Sequence, residues 1–211
     1  MLDRHKILII DYGLGNIGSI YNAIKAIGFD VEVLRSKEDF NYNQSYSGFI
    51  LPGVGSYPEG MKRLKDKCFD QIITLLIKNQ IPGLGICLGM QLLSSWGEEG
   101  GSKVPGLDIF EGGVHRLNDK YQPVPHIGWT STSTELSDEA WHKKLNGVFY
   151  YLHSYAISPK HVGDIAAQFI HGDSYYTAAI YRKRLLGVQF HPEKSQENGL
   201  ELIKEYFMAY L

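Results

Sequence analysis

Residues Ile81–Ser94 read IPGLGICLGMQLLS, and the five at their centre, Gly85-Ile86-Cys87-Leu88-Gly89, set a thiol between two glycines. That is the form of a nucleophile elbow, in which a strand turns abruptly into a helix and holds one side chain out at the bend. Gly83, Leu84 and Ile86 supply a short apolar strand, and Leu88, Gln91, Leu92 and Leu93 open a helical pattern expected to run to about Trp96. Cys87 falls where the period changes. The glycines permit a tight backbone without a Cβ clash, and the free N–H groups and positive end of the following helix favour thiolate over thiol. A Cys ordinarily titrates near about 8.5, and such surroundings lower that by a unit or more. The same residues also suit a plain buried Cys in a tight strand-to-helix loop.

Upstream, the run ILII within Lys6–Asp11, Val31–Leu34 and Gly48–Leu51 read as further strands, the continuous apolar runs suiting parallel strands covered on both faces. The first is followed by Gly13-Leu14-Gly15-Asn16-Ile17-Gly18, a formal dinucleotide fingerprint. The nearest acidic residues, Asp30 and Glu32, stand at the start and inside the second strand, not at its end where a ribose needs a carboxylate. A tight loop with Asn16 as N-cap and Gly28 closing the helix accounts for the same residues. The third strand stops at Pro52-Gly53-Val54-Gly55-Ser56, where two glycines let peptide units turn their N–H groups toward a cavity. In an open parallel sheet the loops at the C-terminal strand ends share one crevice, so this segment and Cys87 are expected to face each other. Tyr57 to Asn79 reads as helical, with the structural Cys68 between its two apolar stretches.

The 211 residues, 44% of them hydrophobic, are enough for one substantial core, so residues 1–211 are expected to form a single domain. Twenty-one basic and 23 acidic residues leave a formal charge of −2, which gives no electrostatic basis for binding nucleic acid or an anionic membrane surface. Cys68 and Cys87 alone make no disulfide framework, Met1 leads quickly into KILIID without a leader, and no apolar run approaches the roughly 20 residues that cross a bilayer. A cytoplasmic protein follows. No cluster has metal-ligand spacing, and no cofactor is implied.

In the second half the alternation of strand and helix lapses. Tyr121–Trp129, with two prolines and a glycine around His126, reads as an irregular surface segment exposing His126 and Trp129, and Thr130–Leu145 as a polar tract without signal. Val148–Tyr155, Asp164–Ile170 and Tyr175–Tyr181 read as β-rich, close enough for antiparallel hairpins. A last strand, Leu185–Phe190, ends at His191-Pro192-Glu193, and a helix begins near Gln196. Pro192 fixes the chain so that the carboxylate turns back toward the imidazole. The expected fold is α/β: an open, mainly parallel central sheet with helices on both faces and an antiparallel β extension in the C-terminal half.

An elbow Cys, a strand-end His and a Glu two residues on, with a Gly-rich strand end nearby, together resemble the class I (triad) glutamine amidotransferases. Their GxCxGxQ signature is matched by Gly85, Cys87, Gly89 and Gln91, and their HPE by His191, Pro192 and Glu193. DYGLGNIGS (11–19), PGVGS (52–56), PHIGW (125–129), YLHSY (151–155) and GVQFHPEKSQ (187–196) are similar, more narrowly, to the glutaminase subunits of imidazole glycerol phosphate synthases. The resemblance implies glutamine as substrate, Cys87 as nucleophile, His191 as acid and base and Glu193 as its orienter. It further implies Leu88, Gly53 and Val54 around the oxyanion, and Gly55, Gln91, Ser154 and Tyr155 around the substrate. The implied partner is a (β/α)8-barrel cyclase, in a heterodimer, on a face including Asn16, His126, Trp129 and Lys194. One departure is that the family's PHxGWN has Thr130 in place of its last residue. That keeps open a diverged paralogue whose barrel partner aminates another acceptor, such as a nucleotide sugar. A catalytically silent nucleotide-binding scaffold and a free-standing cysteine hydrolase are the readings from other classes. The intact Cys87, His191 and Glu193 speak against the first, the DYGLGN and PHIGW loops against the second.

Overall fold

The computed structural model describes residues 5–211, so the expectation about the start of the chain at Met1 lies outside it. In chain order the elements begin with β1 (Lys6–Ile10), α1 (Ile17–Ala26), β2 (Asp30–Leu34), β3 (Gly48–Leu51), α2 (Tyr57–Asp66), α3 (Phe69–Lys78), β4 (Gly83–Ile86) and a single helical turn, α4 (Leu88–Gln91). There follow β5 (Ser94–Gly97), β6 (Val104–Pro105), β7 (Phe110–Arg116), β8 (His126–Ser133), β9 (Gly147–His153), β10 (Tyr155–Pro159), β11 (Ile165–His171), β12 (Ser174–Arg182), β13 (Leu185–Val188) and α5 (Gln196–Met208).

Nine strands form one sheet in the order β2-β1-β3-β4-β13-β12-β11-β8-β9. From β2 to β13 neighbours run parallel, and from β13 to β9 they run antiparallel. A second sheet, β10-β7-β5-β6, packs against the first, sharing a core with it through Phe110, Val114 and Ile157, and was not foreseen from the sequence. Strand β1 shows how the layers are built. Ile7 and Ile9 join a core with Ile20 and Ile24 of α1 and Leu202, Ile203 and Tyr206 of α5. The alternate residues Leu8 and Ile10 join one with Met61 and Leu64 of α2 and Ile72 and Ile73 of α3. The period of two sends successive side chains to opposite faces, and burying each Ile or Leu stabilises by about 1.5–3 kcal/mol. Helices therefore cover both faces of the parallel half.

Four expectations are corrected. The helix after Cys87 ends after one turn, and Ser94 already belongs to a strand. The carbonyls of Leu92, Leu93, Ser94 and Ser95 accept N–H bonds from the segment 106–110 at 2.9–3.0 Å, so they are not available to prolong the helix. The second concerns Tyr121–Trp129, whose prolines precede β8 instead of interrupting it. The Val124–Pro125 bond is cis, and from His126 on the chain pairs with β9 in register His126↔His153. The third is the tract Thr130–Leu145, which completes β8 and then forms 3-10 turns at Ala140–Leu145 that bury Trp141, His142 and Leu145. Trp141 packs edge-on against Tyr181 and Tyr206 and donates its indole N–H to Glu139 at 2.6 Å. The last strand also stops at Val188, short of Phe190. No helix among the described residues is long and apolar enough to cross a membrane.

Candidate active site

The C-terminal ends of β3, β4 and β13 lie side by side, which brings Pro52–Gly55, Cys87 and the segment 189–193 to one edge of the sheet. Cys87 has φ 52° and ψ −110°, a conformation that L-residues adopt only under constraint from their surroundings. Its N–H is held by Val188 O at 2.8 Å, and its carbonyl accepts from Gln91 N at 3.1 Å. Gly89 shows why the second glycine of the elbow is needed. A Cβ there would lie 1.9 Å from Leu51 O, so α4 starts directly against the end of β3. The sulfur lies 3.6 Å from Gln189 Nε2, which donates to it, and 3.8 Å from Leu152 O.

His191 is held at three points. Its N–H donates to Tyr150 O at 2.8 Å, its carbonyl accepts from Ser195 Oγ at 2.6 Å, and Nδ1 lies 2.9 Å from Glu193 Oε1. The ion pair is nearly sealed from solvent, with side chains 2% and 1% exposed. Burial works against a charged imidazole, but the Cys87 sulfur and the Glu193 carboxylate outweigh it, and the pKa is pushed up to about 10. His191 Nε2 and Glu193 Oε2 are both buried without a hydrogen-bond partner among the described residues. Two such orphans in one pair are costly for stability unless a bound group meets them.

A cavity of about 210 Å³ opens beside the sulfur, walled by Val54 and Gly55, by Cys87 and Leu88, and by Gln91 with Ser154 and Tyr155. Gly53 is buried beneath it, where a Cβ would sit 2.5 Å from Tyr12 Oη and 2.7 Å from Gly89 N. Tyr12 Oη donates to Pro52 O at 2.8 Å and so ties the Gly-rich segment to the end of β1. A larger cavity, about 360 Å³, lies at the other end of the parallel strands among Ile77, Ile81, Phe110 and Arg184, and its walls hold none of these groups.

The residues predicted for a partner surface divide. Trp129 is 48% exposed, Lys194 is exposed with Nζ 5.9 Å from the Tyr150 ring, and Asn16 is half-buried, its side chain capping α1 through Ser19 N. His126 is a correction. It is buried, stacked between Tyr151 and Phe169 at centroid distances of 5.0 and 5.2 Å, because alternation along β8 sends it inward and Ile127 and Trp129 outward. In the DYGLGN loop Asp11 Oδ1 accepts from Gly13 N, and Glu32 is engaged by Lys6 and Tyr46, so those carboxylates serve local structure.

Sequence reasoning missed Gln189, Tyr12, Ser195 and His153, and it missed Gly199, where a Cβ would meet Pro192 O at 1.9 Å and which seats α5 on the His-Pro-Glu turn. A signal existed for Gln189 alone, a polar side chain inside the apolar run LLGVQF that the structure leaves fully buried.

A family model, glutamine amidotransferase class-I, matches residues 8–209, and the chain belongs to that family. Within it, the chain is similar to proteins named imidazole glycerol phosphate synthase subunit HisH. It is 36% identical to that of Gloeobacter violaceus over 204 residues, covering 95% of this chain and 88% of the other, and 39% identical to that of Moorella thermoacetica over 201 residues, covering 95% and 93%. Among solved structures, PurLQS from Thermotoga maritima aligns with a TM-score of 0.76 at 16% identity, over 98% of this chain and 99% of that one. A glutamine amidotransferase, also from Thermotoga maritima, aligns with a TM-score of 0.60 at 20% identity, over 98% of this chain and 82% of that one. These two likenesses establish the class I glutamine amidotransferase-like α/β fold.

Proposed function

We propose that this chain is the glutaminase subunit of an imidazole glycerol phosphate synthase, one domain that releases ammonia from glutamine for a (β/α)8-barrel cyclase in histidine biosynthesis. The observation that carries the chemistry is the sealed His191–Glu193 pair, with its orphaned Nε2, beside the strained Cys87. In this reading the Cys87 thiolate attacks the side-chain carboxamide carbon of glutamine. Leu88 N–H and an N–H of Gly53 or Val54 take the oxyanion, each such donor contributing about 3–4 kcal/mol to the transition state. The C–N bond breaks as His191 gives its proton to the leaving nitrogen, so ammonia departs and a glutamyl thioester remains. Water, deprotonated by His191, then attacks the thioester and releases glutamate and the thiolate. Glu193 orients the imidazole throughout, and Gly55, Gln91, Ser154 and Tyr155 hold the substrate.

The barrel partner belongs on the face that carries Trp129 and Lys194, where Ile127, Trp129, Val148 and Leu152 form an exposed apolar group on paired strands. The relatives carry the name of the histidine-pathway subunit, which favours that acceptor over a nucleotide sugar. Incubation with the glutamine-analogue electrophile 6-diazo-5-oxo-norleucine, followed by peptide mapping, tests the reading. Modification of Cys87 is expected; modification of Cys68 instead, or of neither, would overturn it.

A further inference from the structure

The inner faces of β8, β9 and β11 bury polar rings where a sheet packed on a core ordinarily buries apolar ones: His126, His153 and His171. They do not form a group able to hold a metal ion. Two of them, however, belong to a string of hydrogen bonds whose direction can be worked out. Burial lowers the pKa of His126 to about 4 and that of His153 to about 3, so both rings are neutral at pH 7 and each carries one N–H. Tyr155 O can only accept, so His153 Nδ1, 2.9 Å away, bears the proton and Nε2 is an acceptor. His126 Nδ1, 3.2 Å from that Nε2, must therefore donate, which leaves His126 Nε2 as an acceptor. The Thr130 hydroxyl, 2.8 Å from it, supplies the hydrogen.

Beyond Tyr155 the string continues to the sulfur. The same carbonyl accepts from Gln91 Nε2 at 2.8 Å, Gln91 Nε2 also donates to Gln189 Oε1 at 3.0 Å, and Gln189 Nε2 ends 3.6 Å from Cys87 Sγ. The Tyr155 carbonyl accepts from both sides, so His153 acts by holding that oxygen in place for Gln91, and Gln91 in turn sets the orientation of Gln189. Flipping one amide or exchanging one tautomer brings two donors or two acceptors together, and a buried group so stranded is costly. With its amide held this way, Gln91 keeps Oε1 without a hydrogen-bond partner among the described residues at the cavity wall, an acceptor for a substrate N–H.

We propose that His126 and His153 are positioning residues for the glutamine site: through Thr130 on one side and the Tyr155 carbonyl on the other, they fix the orientation of Gln91 and, through it, of Gln189. This rests on the reading that the cavity takes glutamine. Thr130 is thereby assigned a role at the residue where the PHxGWN pattern is broken.

The test uses the complex with its cyclase partner and titrates glutamine. Thr130→Val is expected to raise KM for glutamine about 3-fold and His153→Phe about 10-fold, the range set by one or two lost hydrogen bonds. In both, kcat should change less than KM, turnover fed by ammonium salts should hold, and Thr130→Ser should restore the wild-type KM. Unchanged KM in folded Thr130→Val and His153→Phe, or a Thr130→Ser variant as impaired as Thr130→Val, would overturn the proposal. Imidazole ¹H–¹⁵N spectra of the wild-type protein give a readout that needs no variant to fold: Nδ1–H is expected on His126 and on His153, and Nε2–H on either would sink the string. A wild-type complex that makes product from ammonium salts but never from glutamine would instead refute the glutaminase reading itself, even with the predicted tautomers present.

Discussion

In the parallel half of the large sheet, β1 and β3 bury Ile, Leu and Phe on both faces, whereas in the antiparallel half β8, β9 and β11 bury His126, His153 and His171 on the inner one. The parallel half brings the sulfur and the imidazole to its strand ends and keeps His191 in its charged form. The antiparallel half keeps its imidazoles neutral. The difference is one of partners. His191 lies beside a carboxylate and a sulfur, while His126 and His153, lowered first by burial, have no carboxylate beside them and feel the imidazole of His171 and, at His153, that of His191 as well. Identical side chains are thus driven in opposite directions by what surrounds them.

Cys87→Ala separates the halves most sharply. Glutamine-driven synthesis by the complex is expected to fall ~10⁴-fold or more, with synthesis fed by ammonium salts preserved. Loss of both in an assay of the complex would make the residue structural. Gly89→Ala strikes the backbone contact beneath it. A methyl 1.9 Å from Leu51 O has no flexible neighbour to displace, and a loss of about 3 kcal/mol or more in denaturant unfolding is expected.

The opposed imidazoles predict an opposed pH response around the unfolded value of about 6.5. His191, raised to about 10 in the fold, contributes stability that is fully present below about pH 6.5 and is lost as pH climbs toward 10. His126 and His153, lowered to about 4 and 3, contribute stability present above about pH 6.5 and lost as pH falls through those values. Unfolding midpoints measured from pH 4 to 10 should therefore decline on both sides, with uptake of up to about two protons on unfolding along the acid limb. A His126→Phe, His153→Phe double variant that kept the full acid slope would break the comparison. The smallest effect is expected at His171, both of whose ring nitrogens are buried without a partner among the described residues. His171→Phe removes a stranded N–H and should raise stability by about 1–2 kcal/mol by calorimetry.

The parallel half was the more legible from sequence. Its strands are short apolar runs with glycine at their ends, and the elbow, the PGVG turn and the His-Pro-Glu turn are each written in consecutive residues. What stayed hidden depends on pairing across long distances. Strands β5 and β6 have four and two residues, too few for a period to register, and they exist because β7 and the segment 106–110 supply their partners. Trp141 sat in a tract that reads as polar, and only its contacts with β12 and α5 reveal a buried ring. His126 was misplaced because prolines at 123 and 125 suggest a loop, while the alternation that buries it appears only once β9 is laid alongside. The hydrogen-bond string through Gln189 joins β8, β9, β10, α4 and the end of β13, a set of neighbours that no local pattern contains.

The seating of Gly199 on Pro192 bears on how the molecule comes into being. Residues 191–193 owe their posture to Ser195 and to the helix that follows, so the ribosome must add Gln196–Met208 before imidazole and carboxylate can settle. Cys87 has been synthesised long before then. A nascent chain consequently carries its thiol before the imidazole–carboxylate pair can form beside it, and that pairing waits for α5.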